Sequence, residues 1–132
     1  MNYLGNYKIN QELCKFNLNI SNEYSNNYLK SCGIDNYESE FANPTELATL
    51  SLKYFLEKFP IPEGSIHTAQ EISIKEKIFK NKELKCSITL SQSKEIKYSL
   101  FIKVRSEYSC DESIVGFSEG TLIIPKLSLI HI

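Results

Sequence analysis

Strand-like patterns occupy five stretches of this chain, and between the first two lies a segment that repeats at three and four residues instead. Cys14, Phe16, Leu18 and Ile20 alternate with Lys15, Asn17 and Asn19, which predicts a half-buried strand. Ile66 to Ile74 predicts a second, with Ile72 and Ile74 on its inner face. Leu84, Cys86, Ile88 and Leu90 alternate with Lys85, Ser87, Thr89 and Ser91 in a third. Ile96, Tyr98, Leu100, Ile102 and Val104 alternate with polar neighbours in a fourth, and Ser113 to Ile124 supplies the last. Gly116 and Gly120 mark bends or close backbone approach in that final strand. Ser91–Lys94 and Ser109–Glu112 are expected as the polar turns of an antiparallel meander.

Two helices are predicted. Ser21 or Asn22 caps a short one running through Tyr24, Tyr28 and Leu29, and Gly33 ends it. The longer one starts at Asn43-Pro44-Thr45-Glu46. There Asn43 supplies a capping oxygen, Pro44 occupies the first position, where an amide has no partner, and Glu46 is expected to close a capping box. Leu47, Ala48, Ser51, Leu52, Phe55 and Phe59 then recur on one face, while Leu50, Tyr54 and Leu56 widen it. Up to the stop at Pro60, Pro62 and Gly64 this makes a rod of roughly 22 Å, at about 1.5 Å per residue. It is apolar nearly all round.

A helix of that kind, followed by four antiparallel strands, has a simple packing solution: the sheet wraps the helix. The expected class is α+β, a single domain over residues 1–132 with the hot-dog architecture, an antiparallel sheet around a long central helix. An open edge strand favours pairing with a second copy, so a dimer is expected.

Composition narrows the function. The chain has 15 basic and 16 acidic residues, a net charge of −1, which excludes the basic surplus that nucleic-acid binding needs. Lys75 to Lys85 is lysine-rich but interrupted by Glu76 and Glu83, and reads as a solvated strand and turn. Cys14, Cys32, Cys86 and Cys110 are too widely spaced for a zinc motif, so no metal is expected. No apolar run approaches the roughly 18 residues of a membrane helix and no signal sequence is visible, so a cytoplasmic location is expected.

Several stretches resemble the MaoC-like branch of hot-dog proteins, the (R)-specific enoyl-thioester hydratases and 3-hydroxyacyl-thioester dehydratases. Ala42-Asn43-Pro44-Thr45 resembles the small-Pro-Pro-Thr start of the central helix in N-terminal-type dehydratase domains. Ile66-His67-Thr68-Ala69-Gln70-Glu71 resembles their hydrophobic-His-x-x-Gln strand opening. Lys77 to Leu84 resembles the turn into the next strand, and Gly116 to Ile124 resembles the final one. The resemblance spans about residues 12–125. It implies a tunnel beside the central helix for an acyl chain on the pantetheine of coenzyme A or an acyl carrier protein, with no further cofactor. It also implies fatty-acid or polyketide metabolism, and a homodimer or a heterodimer with a second hot-dog protein.

Catalytic members carry an Asp and a His in a pattern like Gly-Asp-x-Asn-Pro-x-His before the helix, which add or remove water across the α,β-bond. A backbone amide at the helix start polarises the thioester carbonyl. The corresponding loop here is Cys32 to Glu40. Anchored on Gly33, it places Ile34 at the Asp, Asn36 at the Asn and Ser39 at the His; anchored on Asp35, it places Tyr37 at the Asn and Glu40 at the His. Neither register supplies the histidine. Asp35, Asn36 and His67 are therefore the catalytic candidates, and Tyr37, Asn43, Pro44 and Thr45 the substrate-binding ones.

Bland readings stand beside these. Asp35 and Asn36 are also good turn formers, and His67 is also a structural histidine at a strand or dimer edge. Cys32 lies at a helix C-terminus, which disfavours a thiolate nucleophile. Tyr24, Tyr28, Tyr37 and Tyr54 fit an acyl tunnel, a core or a dimer contact. Three functions stay open: a hydratase or dehydratase, alone or as the substrate-binding half of a pair; a non-catalytic acyl-binding or structural module; and a thioesterase using Asp35, Glu38 or Glu46.

Overall fold

The computed structural model describes residues 4–34 and 39–125. A single 3-10 turn at Leu4–Asn6 leads into β1 (Glu12–Leu18), α1 (Asn22–Ser31), α2 (Pro44–Lys58), β2 (Ile66–Ile74), β3 (Leu84–Ile96), β4 (Ser99–Cys110) and β5 (Ser113–Pro125). The strands form one five-stranded sheet in the order β1-β3-β4-β5-β2. Every neighbouring pair is antiparallel. Among the described residues no helix is long and apolar enough to cross a membrane.

The α+β expectation of a sheet around a long helix holds. Leu47, Leu50 and Phe55 of α2 share one core with Leu18, Leu84, Ile88, Leu90, Leu100, Ile102, Val104, Leu122 and Ile124 of the sheet. Alternation along β4 buries Leu100, Ile102, Val104, Ser106 and Tyr108 on the helix side. The helix itself is less enclosed than its sequence suggests. Thr45, Thr49, Lys53, Glu57 and Lys58 are exposed, and Leu52, Tyr54 and Leu56 only half-buried, because a single sheet covers one side of a rod.

One turn moves from its expected place and the other falls within it. Ser91 to Lys94 stays within β3, which continues past a bulge between Leu90 and Gln92 and pairs Gln92 with Lys103 and Lys94 with Phe101. A ladder beyond the helix needs only backbone hydrogen bonds, so polar residues continue it. The chain reverses at Lys97-Tyr98, with Lys97 in the left-handed region at φ 52°. The second reversal is tighter than predicted: Cys110 pairs with Ser113, and Asp111 and Glu112 adopt φ of 50° and 68°, as a two-residue hairpin turn requires.

At Gly116 the close approach is real. A Cβ there would lie 2.7 Å from both the Ser73 carbonyl oxygen and Ile74 Cδ1, so the absent side chain lets the end of β2 close on β5. Beyond that pairing β2 is an edge strand, exposed along most of its length.

A buried polar chain crosses the core. Tyr108 Oη lies 2.8 Å from Ser51 Oγ of α2 and 2.7 Å from Ser118 Oγ of β5. Burial pushes the Tyr108 phenol up to about 12, so it stays neutral while the fold persists.

Candidate functional site

The start of α2 organises the site. Asn43, extended at φ −73° and ψ 133°, caps the helix: its Oδ1 accepts from Thr45 N–H at 3.0 Å and from the Thr45 hydroxyl at 2.8 Å. Glu46 N–H donates to the Asn43 carbonyl at 2.9 Å. With Pro44 lacking an amide, the first turn is satisfied from within, and its helical amides are not free to polarise a ligand carbonyl. The Asn43 N–H itself makes no hydrogen bond among the described residues.

Glu46 does not close the expected capping box. Its carboxylate turns inward instead, where Ser25 Oγ of α1 donates to Oε1 at 2.9 Å. The helix cap is already complete through Asn43, and a buried hydroxyl is the better partner. Ser25 is positioned by a short helix with both ends fixed. Ser21 Oγ accepts from Tyr24 N–H at 3.0 Å at the start. At the end Gly33, at φ 80°, lets Gly33 N–H and Ile34 N–H return to the Lys30 and Leu29 carbonyls. Tyr28 Oη donates to Thr45 Oγ1 at 3.1 Å and ties the same helix to the first turn of α2.

Glu46 is 1% exposed, and its Oε2 has no hydrogen-bond partner among the described residues. Burial raises its carboxyl above the ordinary glutamate value, and the Ser25 hydrogen bond and the Lys80 ammonium pull it partly back. The Glu46 carboxylate in turn adds to the burial that raises the Tyr24 phenol.

A cleft of about 420 Å³ is lined by Glu46 together with Ser25, Ser39, the segment from Phe41 to Pro44, the segment from Ile74 to Ile78, and Lys80. It shares Ser39 and Lys80 with an outer groove of about 740 Å³, which adds Asn22, Asn26, Glu40, Phe79 and Asn81. The wall is tied together by Ala42 N–H to the Ile78 carbonyl at 2.7 Å and Lys80 N–H to the Glu40 carbonyl at 2.9 Å. Phe41 and Phe79 pack at 4.9 Å between centroids, with Lys77 Nζ 4.8 Å from the Phe41 centroid.

The sequence candidates divide. Asn43 and Pro44 line the cleft, whereas Thr45 is engaged by Asn43 and Tyr28 and does not. Asp35, Asn36, Tyr37 and Glu38 lie outside the described residues. His67 is exposed near the far end of β2, with Nε2 3.0 Å from Gln70 Oε1 above Gly120. Ile74 is the β2 residue at the cleft, so at about 3.3 Å per residue His67 lies roughly 23 Å along the strand from it. The structure therefore does not bring His67 together with Asn43 and Pro44 in this chain. Cys32 and the three described tyrosine candidates stay out of the cleft; Tyr24 stacks on Tyr28, and Tyr54 meets Phe16 edge-on at 5.3 Å.

Nothing in the local sequence marks Ser25, and the pattern around Glu46 points to a cap. One signal was available for Glu46. It stands four residues before Leu50, on the stripe of α2 that faces protein.

The architecture has close counterparts among solved structures. The (R)-hydratase from A. caviae involved in PHA biosynthesis is 15% identical, with a TM-score of 0.68 over 91% of this chain and 98% of that one. The MaoC-like dehydratase from Rhodospirillum rubrum is 12% identical, with a TM-score of 0.73 over 95% and 97%. The fold is a hot-dog. A third counterpart is the truncated HadBC (3R-hydroxyacyl-ACP dehydratase) complex from Mycobacterium tuberculosis, 13% identical, with a TM-score of 0.70 over 88% of this chain and 98% of that one. No protein-family model and no curated protein matches this hot-dog by sequence. The MaoC-like resemblance of the sequence thus points to the architecture that the protein adopts.

Proposed function

We propose that this hot-dog binds an acyl thioester, carried on coenzyme A or an acyl carrier protein, for hydration or dehydration of the acyl group. The observation that carries this is the two-part depression at the start of α2, which narrows from an open groove to a buried carboxylate. Its outer part offers the side-chain amides of Asn22, Asn26 and Asn81, suited to the amide-bearing pantetheine arm. Its inner part combines Ala42, Pro44, Ile74 and Ile78 with Glu46, suited to an apolar acyl group next to a polar reacting centre. Solved hot-dogs that match nearly the full chain include a hydratase and dehydratases, which supports this chemistry.

A second hot-dog domain, identical or different, completes the functional unit in this proposal. Strand β2 presents an open edge, and the HadBC structure is a complex of a dehydratase of this fold. Glu46 also favours a second chemistry, hydrolysis of the thioester by a carboxylate-activated water, because it lines the cleft and one of its carboxylate oxygens has no hydrogen-bond partner among the described residues.

Calorimetric titration with crotonyl-coenzyme A and with the same acyl group on an acyl carrier protein tests the binding function. Saturable binding of at least one, weakened when the acyl group is removed, is the expected result. Failure of both to bind contradicts it.

A further inference from the structure

Resting on the acyl-thioester function above, we infer that Glu46 is the catalytic proton carrier, working through Oε2, the oxygen without a partner among the described residues, on a water that adds to the enoyl thioester. Among the described residues lining the inner cleft, the other titratable side chains are Lys75, Glu76, Lys77 and Lys80, which stand at its rim, exposed or partly so. Glu46 alone is buried there, and neither the helix cap nor an ion pair uses its second oxygen. A buried carboxylate oxygen without a donor is costly in a structural role. A water or a substrate hydroxyl at that oxygen would satisfy it.

The geometry divides the labour. Ser25 holds Oε1, and Oε2 stays buried without a hydrogen-bond partner among the described residues, on a side chain that lines the cleft. The Asn43 N–H, without a hydrogen bond among the described residues and on a residue that lines the same cleft, is a donor available to the thioester carbonyl. In hydration, the Glu46 carboxylate accepts a proton from water as the water oxygen bonds to C3. The C2–C3 π pair moves to C2 and the carbonyl, giving an enolate held by Asn43 N–H. The Glu46 carboxyl then returns its proton to C2, so one water is added and the carboxylate is restored. Dehydration is the reverse. Burial that raises the carboxyl suits a group that must hold a proton and release it in one cycle. The sequence carries no histidine between residues 32 and 66, so this assignment gives the cleft the proton-transfer group its loop motif lacks.

The test uses the purified full chain with crotonyl-coenzyme A, following enoyl absorbance, thiol release and equilibrium binding together. Wild type is expected to consume the enoyl group without releasing thiol. Glu46→Gln, nearly the same shape, should bind within about 3-fold of wild type and lose at least about 100-fold in kcat. Glu46→Asp, which keeps the carboxyl, should retain more activity than Glu46→Gln. Turnover by Glu46→Gln within a few-fold of wild type overturns the assignment, as does wild-type thiol release without enoyl loss. Binding without any turnover by wild type also overturns it while leaving the acyl-thioester function standing. If wild type does not bind either acyl carrier, the function itself fails.

Discussion

Ser25 and Glu46, on two different helices, share one buried hydrogen bond at 2.9 Å, and it is the only hydrogen bond holding the Glu46 carboxylate among the described residues. It links the position of α1 to the charge state of α2. Ser25→Ala removes a donor to a charged group and should destabilise the fold by about 1.5–3 kcal/mol near neutral pH. Below the raised value of Glu46 the lost bond is a neutral one, and the cost should fall to about 0.5–1.5 kcal/mol. Urea denaturation of both proteins at acid and neutral pH checks this.

Glu46 makes stability depend on pH in a definite direction. Its folded carboxyl is raised by burial, so the folded state binds its proton more tightly than the unfolded chain. Stability from this group is therefore fully present below the ordinary glutamate value and is lost as pH rises through the raised one. Glu46→Gln removes the titration. The variant should melt at a higher temperature than wild type at neutral and alkaline pH, with the difference shrinking towards pH 4. Thermal scans across that range measure it.

The buried chain of Ser51, Tyr108 and Ser118 serves the fold and not the cleft. Tyr108→Phe strips both serines of a shared partner and should cost about 1–3 kcal/mol in urea unfolding. Binding of acyl-coenzyme A should be unchanged, since none of the three lines the cleft.

The sequence made the framework legible because apolar periodicity decides it. Leu47, Ser51 and Phe55 recur on one helix face, and Leu100, Ile102 and Val104 on one face of a strand; both sets are buried together. Turn positions were less legible. Ser91 to Lys94 looks like a turn by composition, yet a ladder accepts polar residues wherever nothing packs on them. The site was legible in half. Asn43 and Pro44 are visible from local cap chemistry, but the inward turn of Glu46 depends on Ser25, a contact between segments far apart in sequence. His67 stands out in the sequence as one of two histidines, and only the register of β2 against β5 shows how far along the strand it lies from the cleft.

The open edge of β2 carries its own expectation. A second copy pairing along it gives a species of twice the chain mass in sedimentation equilibrium. Ile66→Lys combined with Thr68→Lys places charge on two exposed edge positions and should shift that equilibrium towards monomer. An unchanged mass distribution in the double variant would place the contact elsewhere.

The location of the acyl thioester is the measurement on which the account turns. Amide chemical shifts of isotope-labelled protein titrated with crotonyl-coenzyme A should move at Ser25, Ser39 to Glu46 and Ile74 to Asn81, leaving the groove beside Lys15, Asn17 and Lys85 unperturbed. Shifts confined to that β1–β3 groove, or no saturable shifts at all, would contradict an acyl-thioester site at the start of α2.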